Sequence, residues 1–240
     1  MSLVPARISP LVPAASAAAF LALLCLVLGD WGPLHRADEA LSAQFRAYGT
    51  ASPRAVAAIR VVTDLMGTVA YLTVGLAATV LLAAGGRRRP AGLTAAVTAA
   101  VPVLWTVMHG VLHRPRPADG FVDIDSNGFP SGHTAHAAAA ALLAGLLLWP
   151  RLGRPGRALL VALGALLAVG IGLTRVALLA HWPSDVLGGW LLSLAVVPAL
   201  ALAFRRGAPP RVSDPTPGPR SRPAPDCAGR ASPGSGSRAS

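Results

Sequence analysis

The sequence contains no lysine, so every one of its 21 basic residues is arginine. Charge of either sign is scarce, at 13% of 240 residues, where a soluble domain carries about 25%. Aromatic residues make up 5%, and there are two cysteines. Each shortage excludes something. Cys25 sits inside an apolar run and Cys227 in a polar tail, so no disulfide framework, redox pair or cysteine metal site follows from them. Few charges, 53% apolar residues and a mean hydropathy of +0.56 argue against a water-soluble core. The net charge of +11 does not read as a nucleic-acid surface either, because the arginines are dispersed between long apolar runs. The pattern left standing is that of an integral membrane protein.

Six apolar segments are present: Leu11–Gly29, Asp64–Ala84, Gly92–Leu112, Gly132–Trp149, Ala158–Leu179 and Val186–Phe204. Each is close to the ~20 residues that cross ~30 Å of hydrocarbon as a helix, and β-barrel strands would be about half that length. The expected fold is therefore all-α, a six-helix membrane bundle over residues 1–206. Arg7 precedes the first run, as in a signal peptide. The run is long, however, and no convincing cleavage site follows it before Asp30, so it reads as a retained helix. Arg87–Arg89, Arg151/Arg154/Arg157 and Arg205-Arg206 mark alternate connections, which the positive-inside rule assigns with both termini to the cytoplasm. The other loops, 30–63, 114–131 and 180–185, then face outward. Residues 36–60 mix charges with Ala, Phe45 and Tyr48, a pattern compatible with an interfacial helix but too weak to define one. Residues 207–240 are rich in Pro, Ser, Gly and Arg and are expected to be a disordered cytoplasmic tail.

Three polar clusters interrupt the apolar pattern, all on the outward side. His109 and His113-Arg114-Pro115-Arg116-Pro117 end the third segment. Pro130-Ser131-Gly132-His133 opens the fourth. Thr174-Arg175, His181 and Trp182-Pro183-Ser184-Asp185 bridge the fifth and sixth. Ionisable groups at helix ends in lipid usually serve a pathway or a site. These suit an oxyanion: Arg114, Arg116 and Arg175 offer planar forks that match phosphate oxygens. The backbone N–H groups of Ser131-Gly132 at a helix start favour bound anion, and glycine allows close approach. Asp185 lies four residues after His181, a spacing that would let its carboxylate hold one ring nitrogen protonated and free the other to attack phosphorus. His133 has no such partner and suits protonation of a leaving oxygen.

In order and spacing these clusters resemble the signature of the type 2 phosphatidic acid phosphatase superfamily: K-x6-R-P, then P-S-G-H, then S-R-x5-H-x3-D. The second part matches at Pro130–His133. The third matches at Arg175, His181 and Asp185, with Thr174 for serine. The first aligns Arg116-Pro117 and puts His109 where the family carries lysine. The resemblance implies a metal-independent lipid phosphatase that works through a phosphohistidine, with no cofactor. His181 would be the nucleophile, Asp185 its orienting partner and His133 the general acid and then base. Arg116, Ser131, Gly132 and Arg175 would bind phosphate. At His109 a neutral imidazole replaces an ammonium, so one phosphate contact is weakened or becomes pH-dependent, with Arg114 available to compensate.

The expected substrate is a lipid phosphate or isoprenoid diphosphate presented from the bilayer at the outer interface of the cell membrane. Phosphatidic acid, an isoprenoid diphosphate of the cell-wall carrier type and an isoprenoid-linked phosphosugar are all plausible. Two other functions share the pattern. A degenerate member would bind lipid phosphate without turnover, and a vanadate-dependent haloperoxidase would use the same pocket, although those relatives are soluble. The pairs His109/His113 and His133/His136, and the acidic turn Asp123–Gly128, read as helix-end histidines and a turn; no metal site is expected. Nothing in the sequence indicates an oligomeric state.

Overall fold

The computed structural model describes residues 8–64 and 67–206, so Arg7 and the 207–240 tail lie outside the described residues. Among the described residues there are eight α-helices: α1 (Leu11–Leu28), α2 (Gly32–Ala51), α3 (Pro53–Asp64), α4 (Thr68–Ala84), α5 (Arg88–Val111), α6 (Gly132–Leu148), α7 (Arg154–Ala177) and α8 (Pro183–Arg206), with a 3-10 turn at Trp149–Arg151. Six stretches among the described residues are long and apolar enough to cross a membrane: α1, the region of α3–α4, α5, α6, α7 and α8. Helices α5, α7 and α8 begin several residues before their apolar runs. Proline is tolerated in a first turn, where the missing N–H would lack a partner anyway, and Pro155 and Pro183 occupy such positions.

Helix α6 sits at the centre and packs against α4, α5, α7 and α8. Its alanines explain how one helix can touch four others: Ala135, Ala137, Ala138 and Ala139 are buried, and small side chains let backbones approach closely where lipid offers no hydrophobic drive. Around it, Phe20 and Leu23 of α1, Leu93, Val97 and Val101 of α5, and Leu192, Val197 and Ala201 of α8 form the apolar core with Phe129. Large apolar side chains such as Leu21, Val69, Leu81 and Leu166 point away from the protein. In water that arrangement would be costly; against acyl chains it is the expected outer face.

The weak pattern at 36–60 resolves into two helices, α2 and α3, which break at Ser52 where the following Pro53 disfavours a helical conformation. Helix α2 is turned the opposite way from a helix on a soluble protein. Its buried residues are Asp38, Ser42 and Gly49, whereas Leu41 and Tyr48 are 46% and 57% exposed. A helix lying at a membrane interface can keep apolar groups outward, which leaves a polar side to face the protein.

Candidate active site

The three polar clusters converge at one end of the bundle. The loop after α5 (112–131), the start of α6 and the α7–α8 connection meet there, and two backbone bonds fasten them. Ser131 N–H donates to the Asp185 carbonyl at 3.0 Å, and Phe121 N–H donates to the Leu178 carbonyl at 3.0 Å. Two glycines of α8 allow this approach. A Cβ on Gly189 would stand 2.7 Å from the Ser131 carbonyl oxygen, and one on Gly188 would meet the Phe129 ring at 2.6 Å. Gly189→Ala therefore pushes a methyl group against the Ser131 backbone carbonyl. It is expected to lower stability by about 1–3 kcal/mol, as overpacking does, and to reduce activity by displacing Ser131. Thermal unfolding in detergent checks it; an unchanged midpoint would mean that the helices do not need this contact.

His181 is 3% exposed and its two nitrogens are differentiated by their neighbours. Nδ1 lies 2.7 Å from the Gly128 carbonyl, which can only accept, so Nδ1 carries the proton. Nε2 then presents a lone pair, and Arg116 Nη1 donates to it at 3.1 Å. Asp185 Oδ2 is 3.6 Å from Nδ1, beyond a hydrogen bond but within electrostatic contact. The tautomer expected from Asp185 is thus set by a backbone carbonyl, and Asp185 supplies charge beside the ring. Asp185 is fully buried, accepts the Trp182 backbone N–H at 2.8 Å on Oδ2 and pairs through Oδ1 with Arg114. Burial first, then the Arg116 and Arg175 charges, push the His181 imidazole well below its ordinary value of 6.5, with the Gly128 carbonyl opposing the shift. The ring is neutral at physiological pH.

Arg116 has all five of its donors engaged. Nε reaches the Ser126 carbonyl at 2.7 Å, Nη2 reaches Ser126 Oγ and the Asn127 carbonyl at 2.9 Å each, and Nη1 reaches the Ala180 carbonyl and His181. Burial pulls the guanidinium below its ordinary value, and the nearby Asp185 charge opposes that. Arg175 is 3% exposed; Nη1 donates to Thr63 Oγ1 of α3 at 3.2 Å, and its buried Nε has no hydrogen-bond partner among the described residues. Thr174, at the serine position, donates its hydroxyl to the Ile171 carbonyl at 2.7 Å and has its oxygen 3.2 Å from Thr63 Oγ1. His133 lies within electrostatic range of Arg175, His181 and Arg116, and a Cβ on Gly67 would be 3.5 Å from its Nε2. His109 packs on Trp105 at 4.4 Å between ring centroids, within electrostatic range of Arg116, and both of its ring nitrogens are buried without a hydrogen-bond partner among the described residues.

Three expectations change in detail. Arg114 does not lie free to contact phosphate: its Nη1 is held by Asp185 and by Ser184 Oγ (2.9 Å), and its Nη2 by Asp38 (2.8 Å). The Ser131 N–H is taken by the Asp185 carbonyl, so the open backbone donors at the start of α6 begin at Gly132. The space beside Gly132 is filled by Trp105, whose indole would lie 2.7 Å from a Cβ there, so this glycine serves helix packing. Trp182 is buried, with Nε1 donating to the Pro115 carbonyl at 2.9 Å, and His113 is exposed. Among the described residues, no three His, Cys, Asp or Glu side chains gather as a metal-ligand set. Sequence reasoning passed over Asp38, Thr63, Gly128, Gly188 and Gly189, none of which carries a spacing signal of its own.

The PAP2 superfamily model matches residues 69–207, more than half of the chain and all three clusters. The chain belongs to the PAP2 superfamily. This PAP2 chain is 46% identical over 69 residues to the phosphatidylglycerophosphatase B proteins of Escherichia coli K12, Escherichia coli O157:H7 and Shigella flexneri. Those matches cover 29% of this chain and 26% of each relative's length. Among solved structures, it resembles a transmembrane PAP2 type phosphatidylglycerolphosphate phosphatase from Bacillus subtilis with a TM-score of 0.69 and 23% identity, covering 83% of this chain and 99% of that one. With six apolar spans and this fold, the PAP2 chain is a multi-pass membrane protein.

Proposed function

We propose that this PAP2 protein hydrolyses a lipid phosphate at the outer membrane–water interface through a phosphohistidine on His181. The observation that carries the reading is the state of His181: a neutral ring, its Nδ1 proton held by Gly128, its Nε2 lone pair turned toward a cluster of arginines. That lone pair accepts from Arg116 Nη1. An entering phosphate oxygen is a better, charged acceptor, so it takes over the Arg116 Nη1 hydrogen bond and leaves the Nε2 lone pair free. Nε2 then bonds to phosphorus as the phosphorus–oxygen bond to the lipid breaks. His133 gives its proton to the departing oxygen, and the new imidazolium lies beside the Asp185 carboxylate. In the second half, His133 takes a proton from water, the water oxygen bonds to phosphorus, and the P–N bond breaks to return neutral His181 and release phosphate. Arg116, Arg175 with its open Nε, His109 and the Gly132 N–H hold the equatorial oxygens.

The similarity to phosphatidylglycerophosphatases makes a phosphatidylglycerol phosphate the first substrate to test, with phosphatidic acid and an isoprenoid diphosphate beside it. The arginine distribution supports placing both termini in the cytoplasm and this site outside, where a lipid headgroup reaches water while its tail stays in the bilayer. The deciding experiment measures phosphate release by purified protein from these three lipids with chelator present, and traps labelled phosphate on the protein. The expected result is chelator-resistant release with an acid-labile, base-stable phosphoryl label. Release that stops in chelator would end the phosphohistidine reading, and no turnover on any of the lipids would favour a binding protein.

Protonation of His181 removes the attacking lone pair. Because its pKa lies below 6.5, the acid limb of kcat/KM that reports it falls well under pH 6.5. Arg116→Gln removes a neighbouring positive charge, which makes protonation easier and moves that limb to higher pH while KM rises. A profile of kcat/KM over about pH 4–8 for both proteins tests this; a limb that stays in place or moves down contradicts it.

A further inference from the structure

Asp38 comes from the interfacial helix α2, 146 residues before Ser184, yet it is built into the same site. Its carboxylate is 2% exposed. Oδ1 accepts the Ser184 backbone N–H at 2.9 Å; Oδ2 accepts the Ser184 hydroxyl and Arg114 Nη2, the latter at 2.8 Å. It thereby caps the first turn of α8 from another helix, where the N–H groups lack intrahelical partners and the helix dipole favours an anion. Arg114 completes a bridge: one arm of its fork holds Asp38 and the other holds Asp185, with Ser184 Oγ between them.

We propose that Asp38 is a positioning residue for the reaction at His181, acting through Arg114 on Asp185. This rests on the phosphohistidine reading above. Two carboxylates share one guanidinium, so the trio carries one surplus negative charge. That surplus faces His181, whose other neighbours, Arg116 and Arg175, are cationic. It matters little to the neutral ring and much to the imidazolium that forms when Nε2 bonds to phosphorus, so it favours the transition state over the bound substrate. Without Asp38 the whole Arg114 charge falls on Asp185, the surplus vanishes, and the fork loses the contact that fixes its angle. The inward polar face of α2 is the consequence: the interfacial helix is part of the catalytic frame, and its apolar outer face ties that frame to the membrane surface.

The test uses the full-length protein in detergent, with phosphatidic acid in mixed micelles. Asp38→Asn is expected to lower kcat about 10- to 100-fold, the range seen for outer partners of ligating imidazoles, with KM within about 2-fold. Arg114→Lys keeps the positive charge but cannot span both carboxylates, so it should show the same split between kcat and KM. Combining Asp38→Asn with Arg114→Gln should be no slower than Arg114→Gln alone, since one residue acts through the other. Ser184→Ala removes the hydroxyl bonds and leaves the charges, and should retain most of kcat. Wild-type kcat in Asp38→Asn, independent multiplication of the two losses, or an equal loss in Ser184→Ala would overturn the proposal, the last by making the Ser184 hydroxyl bonds, not the charges, the whole effect. Thermal unfolding reports whether each variant folds, and if Asp38→Asn does not, Arg114→Lys decides on the same criterion. His181→Ala separates the two readings: if it is inactive while Asp38→Asn is normal, only the role of Asp38 fails, whereas an active His181→Ala removes the mechanism beneath it.

Discussion

His181→Ala is expected to lower kcat by about 10,000-fold or more while leaving the phosphate site able to bind. The size follows from what the ring does: without Nε2 no bond forms to phosphorus, and no neighbouring group offers a substitute lone pair. Arg116 and Arg175 are cations, Asp185 is buried behind the imidazole, and the Nε2 of His133 approaches Gly67. The fold should tolerate the change, because the ring contributes one bond to Gly128 and accepts one from Arg116. The other four Arg116 donors stay engaged with Ser126, Asn127 and Ala180. Removing the imidazole also frees Arg116 Nη1 for an incoming oxygen, so inhibition by inorganic phosphate should persist or tighten. Phosphate release and phosphate inhibition, measured on the same preparation, separate the effects. Turnover within about 10-fold of wild type would exclude His181 as nucleophile, and loss of both properties would point to a collapsed site.

The membrane helices were legible because each is a run of about 20 apolar residues, a signal that needs no tertiary information. Helices α2 and α3 were barely so. Helix α2 has neither a continuous apolar run nor the inward apolar stripe of a soluble helix: it buries Asp38 and Ser42 while exposing Leu41. At the site, the convergence of His109, Arg116, His133, Arg175, His181 and Asp185 was readable from ordered motifs at the helix ends and in the loops between them. What those motifs leave open is the direction of each hydrogen bond. The four-residue spacing of His181 and Asp185 places the two side by side, but only the folded loop shows Gly128 taking the Nδ1 proton. Arg114 and Arg116, two residues apart in the same Arg-Pro repeat, differ wholly in partners: one bridges two carboxylates and the other braces carbonyls against His181. Asp38 could not have been found by spacing, since its partners lie 76 and 146 residues away.

Asp185→Asn should have the second largest effect, and its size discriminates between two ways a carboxylate can serve a histidine. Where the carboxylate alone fixes the tautomer, exchange for an amide puts the ring proton on the wrong nitrogen and costs about 10,000-fold. Here the Gly128 carbonyl holds the Nδ1 proton at 2.7 Å and Asp185 stands at 3.6 Å, so the tautomer should survive and only the charge is lost. A unit charge about 4 Å away is worth roughly 4 kcal/mol at an effective dielectric near 20, and each 1.36 kcal/mol is tenfold in rate. That sets a ceiling near 1,000-fold, and about 100- to 1,000-fold is expected in kcat, with KM little changed because the neutral ring of the substrate complex gains little from the anion. The pH profile should move as well. Removing a negative charge beside His181 makes its protonation harder, so the acid limb shifts to lower pH even as the plateau falls, opposite in sign to Arg116→Gln. A loss of 10,000-fold would mean that Asp185, not Gly128, sets the tautomer during turnover, and a loss under about 10-fold would mean that no imidazolium develops at His181 in the rate-limiting step.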